Sequence, residues 1–171
     1  MKVWIRNLTK DVDKEINLPM DERELDKIII PNNEYIIIDS EILDVDEYES
    51  ITRLNKFLLD CKENGVSLTD LEILSKIMYY NEVIDAVENG SYIIVDFDGE
   101  TSDWNFGNGG DICSKYDKGL CVYEYGYYNP FNFEVTIDMY NWINWESVWI
   151  NANTNGWQTV SVDGNGYLVH R

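Results

Sequence analysis

The chain has 171 residues, of which 32 are acidic and 13 basic, so its formal net charge at neutral pH is −19. Solubility alone requires a net charge with a magnitude of roughly 2–8 on a small domain. An excess this large repels nucleic acid and anionic lipid and attracts basic surfaces. Apolar residues make up 44% of the chain, which argues against disorder.

From the sequence we expect no leader, membrane segment or cofactor motif. The N-terminus lacks the apolar core of a signal peptide, and no apolar run approaches the ~20 residues of a membrane span. We therefore expect a cytoplasmic protein. Three cysteines without a CxxC pair and one histidine exclude a zinc-type ligand set, so we expect reduced thiols, with a Cys113–Cys121 disulfide as the less favoured alternative. Phosphate-loop and dinucleotide motifs are absent, and we expect neither a cofactor nor catalysis.

The first 40 residues predict a small α+β arrangement. Val3 to Leu8 is typical of a strand, and Leu18-Pro19-Met20 predicts the opening of a helix. Asp21, Glu22 and Glu24 fall in its first turn, where the helix dipole favours acids. Pro31 predicts its end, and residues 35–39 predict a second, well-covered strand.

Three helices are predicted next. Ser50 caps the first, whose apolar positions Ile51, Leu54, Phe57, Leu58 and Cys61 keep the helical period. Ser67 and Asp70 form a capping-box pattern that opens the second, with Leu68, Leu71, Leu74, Ile77 and Met78 along it. The third is short and ends at Gly90.

The remainder predicts mainly short aromatic strands, at 92–97, 122–128, 133–140 and 147–151. The last residues predict a hairpin whose turn is Asp163-Gly164-Asn165-Gly166. Trp142, Trp145 and Trp149 would line one face if their stretch were helical, and they are candidates for core or interface. The fold class is α+β, with an α+β domain (1–60), a helical middle segment (61–90) and a β-rich domain (91–171).

Two alternative functions use the aromatic second half. The acids from Asp96 to Asp103 suggest a calcium loop, but their spacing does not match an EF-hand, and residues 108–111 suggest a single glycine-aspartate turn. Carboxylates beside aromatic residues also occur in sugar-binding sites. Ordinary turns and an aromatic core explain both features better, so a carbohydrate- or calcium-binding module is the alternative.

The placement of the acids favours a charged surface. Residues 1–100 hold 24 acids and ten bases, against eight and three in residues 101–171. Asp44 and Asp46 would lie about 6.6 Å apart on one side of an extended stretch, and the Asp21–Glu24 and Asp85–Glu88 pairs roughly 5–6 Å apart on a helix. DNA carries one phosphate charge per ~3.4 Å of axis on each strand, so such surface acids reach a similar charge density.

The order of several short segments is also informative. They are Asn7-Leu8-Thr9-Lys10 after the first strand, Leu18-Pro19 before an acidic helix, an aspartate-containing strand, and Tyr48-Glu49-Ser50 followed by Leu54-Asn55. In this order and spacing, residues 3–60 resemble the N-terminal domain of the ArdA antirestriction family. The closing strand-turn-strand is similar in style to the end of that family, whereas residues 100–150 are rich in Trp, Tyr and Asn instead of forming its acidic helix.

The resemblance implies an elongated, homodimeric DNA mimic without catalytic activity, carried by a mobile element in a bacterial host. Such a protein occupies the DNA-binding groove of a type I restriction-modification enzyme and blocks restriction. It binds no nucleic acid and no membrane itself. A mimic of another DNA-binding defence protein, such as a CRISPR nuclease, fits the same features. The candidate phosphate-mimicking acids are Asp21, Glu22, Glu24, Asp39, Glu41, Asp44, Asp46, Glu47, Glu49, Asp85 and Glu88.

Overall fold

The computed structural model describes residues 1–96, 115–124 and 128–171, with the backbone alone at 115–117. The chain divides into two compact units, Met1–Gly90 and Ser91–Arg171. The first unit contains one three-stranded antiparallel sheet with helices, and the second contains another. The predicted α+β class is confirmed.

The sheet of the first unit has the order β2-β1-β3, with β1 at Lys2–Asn7, β2 at Val12–Asn17 and β3 at Tyr35–Ser40. Val3 and Ile5 are at most 1% exposed and alternate with solvent-facing residues of β1, so one face of the sheet is the inner face. The β2 strand was not predicted, because Ile16 is its only buried residue. Its pairing with β1 establishes it.

The α1 helix covers Glu22–Ile28 and begins later than predicted. Asp21 is its N-cap residue, and the Asp21 side chain accepts a hydrogen bond from the Arg23 backbone N–H at 2.9 Å. Residues 18–20 therefore precede the helix. Leu25 is buried, and the Tyr35 hydroxyl holds the far end of α1 by donating to the Ile28 carbonyl at 3.0 Å.

The predicted helices of the first unit are α2 (Ile51–Glu63), α3 (Leu68–Ser75) and α4 (Tyr80–Asn89). The Ser50 cap, the Ser67–Asp70 capping box and the left-handed Gly90 at the end of α4 are confirmed. The five predicted apolar positions of α2 are buried, whereas Leu68 of α3 is 40% exposed. The predicted boundary at residue 60 falls inside α2, and residues 61–90 lie in the same compact unit as residues 1–60.

A buried amide joins α2 to the strand-helix connection before α1. Asn55 is 1% exposed. Its Oδ1 accepts a hydrogen bond from the Met20 backbone N–H at 2.8 Å, and its Nδ2 donates to the Met20 carbonyl at 3.0 Å. The pair satisfies two main-chain groups that burial would otherwise leave without partners.

The sheet of the second unit has the order β4-β6-β5, with β4 at Ile93–Asp96, β5 at Trp157–Val162 and β6 at Asn165–His170. The predicted final hairpin is confirmed. Asp163 and Gly164, with φ of 52° and 86°, form its two-residue turn, and two positive φ values match the right-handed twist of the strands.

The predicted strands at 133–140 and 147–151 are wrong, and so is the part of the strand at 122–128 that lies within the described residues 122–124. Residues 115–124 form the α5 helix, Ile137–Trp142 a 3₁₀ helix, and Trp145–Thr154 the α6 helix. In α6 the buried residues Trp145, Val148, Trp149 and Ala152 follow an i, i+3, i+4, i+7 pattern, so the helical period outweighs the short alternation.

Helices α5 and α6 approach each other closely at Gly119. A Cβ atom at that position would lie 1.8 Å from the Trp145 carbonyl oxygen, so only glycine permits this approach. Trp145 is fully buried, its indole N–H donates to the Tyr140 carbonyl at 3.0 Å, and its ring centroid lies 5.4 Å from that of Tyr123. Trp145 and Trp149 belong to the core, whereas Trp142 is 88% exposed.

Candidate acidic binding surface

All eleven predicted phosphate-mimicking acids lie in the first unit. Ten are exposed, and only Glu49 is partly buried. They come from three places in the fold: the first turn of α1, the outer face of α4, and the segment from Asp39 to Glu49, which we term the acidic connector. The predicted acids therefore come from the sheet edge and two helices of the first unit.

The acidic connector lies in a long stretch without positive charge. Residues 28–52 contain no lysine or arginine and seven acids. These are Glu34, Asp39, Glu41, Asp44, Asp46, Glu47 and Glu49. No basic residue within the stretch can neutralise them, so this part of the chain concentrates uncompensated charge.

The acidic connector is held against the sheet. Leu43 is 1% exposed and anchors its middle in the core. The Ile37 backbone N–H donates to the Glu47 carbonyl at 2.9 Å, so the connector returns along the outer edge of β3. At its start, the Glu41 carboxylate accepts a hydrogen bond from the Lys2 backbone N–H at 2.8 Å. These contacts fix the backbone that carries the acids.

Turns replace the extended geometry expected for Asp44 and Asp46. The Val45 N–H donates to the Leu43 carbonyl, and the Glu49 N–H donates to the Asp46 carbonyl at 3.0 Å. The Asp46 carboxylate also accepts from the Tyr48 N–H at 2.9 Å, as aspartate does in turns. The spacing expected from an extended strand therefore does not apply, although both side chains are exposed.

The predicted acids differ in the hydrogen bonds and ion pairs that their carboxylates make within the protein. Asp21, Asp39, Glu41 and Asp46 accept backbone N–H donors, which leaves further lone pairs for a partner. Glu24 pairs with Lys27 at 2.5 Å. Among the described residues, no hydrogen bond or ion pair engages the carboxylates of Glu22, Asp44, Glu47, Asp85 and Glu88.

Glu49 differs from the other predicted acids. Its side chain is only 9% exposed and lies 3.4 Å from the Arg53 guanidinium, and it also accepts from the Ser50 N–H at 2.8 Å. These contacts hold Glu49 at the start of α2, so it supports the acidic connector more than it presents charge to a partner.

The structure adds Asp60, which sequence reasoning missed. Asp60 and Glu88 line one pocket of about 370 Å³ between α2 and α4. Burial, together with the charges of Asp60 and Glu88, raises the pKa of the Cys61 thiol in this pocket to about 11. Asp60 is exposed and lies at the border of the apolar face of α2, and an acid at that position in the helical period is the signal that could have identified it.

Asp13 and Glu15 of the β1–β2 hairpin pair with bases, whereas among the described residues Glu49 is the one acid of the connector that does. Lys2 pairs with Glu15 at 3.2 Å, and the Arg6 guanidinium donates two hydrogen bonds to the Asp13 carboxylate at 2.6 and 2.8 Å. The hydrogen bond from Arg6 holds the pKa of Asp13 below its ordinary value. Positive charge in the first unit thus gathers on the hairpin.

Several predicted features of the second half lie outside the described residues. They are the calcium-like segment beyond Asp96, the turn at 108–111, and Cys113 of the alternative disulfide. Within the described residues, no group of three His, Cys, Asp or Glu side chains could hold a metal ion. No helix in the described part of the chain is long and apolar enough to cross a membrane.

No family model matches this chain, and a comparison with curated proteins finds no match.

Proposed function

We propose that the protein is an acidic DNA mimic that inhibits a DNA-binding defence enzyme. The observation that carries the proposal is the acidic connector, whose exposed carboxylates stand on a base-free stretch fixed to the sheet edge. The acids of α1 and α4 extend the negative surface of the same unit.

Recognition in this proposal is electrostatic. A groove that binds DNA presents Lys and Arg to phosphates and holds counterions that binding releases. Carboxylates at phosphate-like density would pair with the same side chains and release the same anions. Many weak contacts would share the work, since an exposed ion pair contributes about 0.2–1 kcal/mol. No step of this function needs catalysis.

The preferred target is a type I restriction-modification enzyme. The resemblance of residues 3–60 to the ArdA family supports this choice, and with it a homodimer that acts in the cytoplasm of a bacterial host. Another DNA-binding defence protein, such as a CRISPR nuclease, would meet the same charge pattern. The two targets differ in which enzyme the protein displaces from DNA.

The carbohydrate-binding alternative has less support. Trp145, Trp149 and Trp157 are buried and cannot form a flat platform for a sugar ring. Trp142 and Phe133 are exposed in the described part of the second unit, but no ring contact pairs them into a platform. The calcium version of this alternative depends on residues outside the described part of the chain.

A competition assay tests the proposal. A type I methyltransferase core is bound to a fluorescent DNA duplex, and the protein is titrated in at about 50 mM and about 200 mM salt, a range over which phosphate-type contacts weaken strongly. We expect displacement at near-stoichiometric protein in low salt and much weaker displacement in high salt. No displacement in low salt would exclude this enzyme class. Displacement of a CRISPR nuclease in the same format would then identify the other target.

A further inference from the structure

A second pocket of the first unit has the opposite character from its acidic surface. It encloses about 250 Å³ between the inner face of the sheet and the end of α1. Its lining contains three lysines and no acid, namely Lys10, Lys14 and Lys27. In a chain with 32 acids and 13 bases, such a lining is unusual.

The strand register explains how a lysine reaches the inner face. Lys14 pairs with Ile5 across the β1–β2 ladder, and its neighbours on the same face are Val12 and Ile16. Asp13 and Glu15 alternate with it and face the other side, where Arg6 and Lys2 neutralise them. Lys14 is exposed and lies on an edge strand, where lysine is common, so it brings a positive charge to the open rim of this apolar face.

Two of the three lysines make no salt bridge among the described residues. Among the described residues, the salt bridges of the first unit engage Lys2, Arg6, Lys27, Arg53 and Lys76. Lys10 and Lys14 have no carboxylate partner there. The backbone of Lys10 is positioned by Asn7, whose Oδ1 accepts the Lys10 N–H at 3.0 Å.

The rest of the pocket is mainly apolar and partly open, with Asn7 as a further polar residue of its lining. Ile5 forms part of its floor, and Ile28 and Tyr35 also line it. At its edge, Val12 is 55% exposed and Ile30 is 41% exposed. An apolar pocket with a few convergent polar groups is the usual form of a small-molecule site.

We propose that this pocket binds a small amphipathic carboxylate, with the ligand's apolar body against Ile5 and Ile28 and its carboxylate between Lys10 and Lys14. Lysine offers three donors to an anion, and the apolar body gains from leaving water. The pocket volume suits a medium-chain acid. This site lies apart from the acidic connector in sequence and charge, so the proposal does not depend on DNA mimicry.

The test is a titration of the whole protein with octanoate, followed by NMR of the lysine side chains and by calorimetry. We expect saturable binding that shifts the Lys10 and Lys14 signals. Acetate, which has the charge without the tail, and octylammonium, which has the tail without the negative charge, should not bind. Inorganic phosphate tests whether any anion suffices, and binding as tight as that of octanoate would overturn the proposal.

A pair of variants locates the site. Lys10→Gln with Lys14→Gln should weaken octanoate binding by about tenfold or more, because two exposed charge contacts are lost. The matched control, Lys56→Gln with Lys62→Gln, removes the same charge from exposed positions of α2 and should leave binding unchanged. Equal binding by both variants, or no saturation with the wild-type protein, would overturn the proposal.

Discussion

The two units of the molecule carry their negative charge differently. The first unit holds 21 acids and ten bases, and the second holds 11 and three. In the first unit, bases on the β1–β2 hairpin neutralise neighbouring acids, while the acidic connector has none within its stretch. Net charge alone therefore does not distinguish the acidic connector from the hairpin, whereas the separation of acids from bases along the fold does.

The cores of the two units differ as well. The first is mainly aliphatic, with Leu54, Leu71 and Leu74 fully buried. The second packs aromatic rings around Trp145, with Tyr123, Phe131 and Tyr140 in edge or tilted contact. Trp145, Trp149 and Trp157 therefore serve the fold of the second unit, and the first unit is the better place for a charge-based function.

The largest effect on stability is expected at Gly119, in the second unit. Helix propensity alone predicts that Gly119→Ala stabilises α5 by about 1 kcal/mol. The new Cβ would instead overlap the Trp145 carbonyl, so we expect destabilisation of about 3 kcal/mol. Thermal melting followed by tryptophan fluorescence reports this unit, because five of the six tryptophans lie in it.

The control for this prediction is Glu124→Ala, an exposed position of the same helix, where we expect a change within about 0.5 kcal/mol. A Gly119→Ala protein as stable as the wild type would contradict the close approach of α5 to α6.

Whether an element could be predicted from the sequence depends on how local its signal is. The α2 helix and the Ser67–Asp70 capping box were predicted because their signals are local: a cap, then a regular apolar face. The β2 strand was not, because its residues are charged and only pairing with β1 stabilises it. The α5 and α6 helices were missed because aromatic residues also favour strands, and the contact at Gly119 joins residues far apart in sequence.

For the candidate site, too, the sequence could predict only local features. Exposure of ten acids followed from their hydrophilic character, but the turns at Asp44 and Asp46 depend on the burial of Leu43 and on the hydrogen bond from Ile37 to Glu47. The burial of Glu49 and the position of Asp60 beside Glu88 also arise from tertiary packing, which no local pattern contains.

A smaller effect is expected in the first unit at Asn55. In Asn55→Ala, the backbone N–H and carbonyl of Met20 lose their partner while the site stays buried. An unsatisfied buried group costs about 1–3 kcal/mol, so urea unfolding should show a loss in that range. Asn64→Ala removes an exposed amide from the C-cap of α2 and serves as the control. An equal loss in both variants would contradict the role of Asn55.

An effect that appears only at alkaline pH is expected at Cys61. Burial raises the pKa of this thiol from 9.0 to about 11 in the folded protein. Between these values the unfolded chain releases a proton that the folded chain retains, so stability falls as pH rises. Below pH 9 this contribution is fully present. The stability of wild type relative to Cys61→Ala should therefore decline between about pH 9 and 11, and parallel pH profiles would contradict it.

The most direct test of the central claim compares two variants that lose the same number of negative charges, one in the acidic connector and one in the second unit. One variant neutralises the exposed acids of the connector: Asp39→Asn, Glu41→Gln, Asp44→Asn, Asp46→Asn and Glu47→Gln. The matched control neutralises five exposed acids of the second unit: Glu124→Gln, Glu134→Gln, Asp138→Asn, Glu146→Gln and Asp163→Asn. Both variants have the same net charge, and both are titrated against the methyltransferase–DNA complex in low salt.

Exposed ion pairs contribute about 0.2–1 kcal/mol each, so losing five should cost roughly 3 kcal/mol, or about 100-fold in the concentration needed to displace DNA. We expect that loss in the connector variant, while the control stays within about fivefold of the wild type. Equal losses in the two variants would show that total charge, and not the acidic connector, is responsible, and would contradict the account.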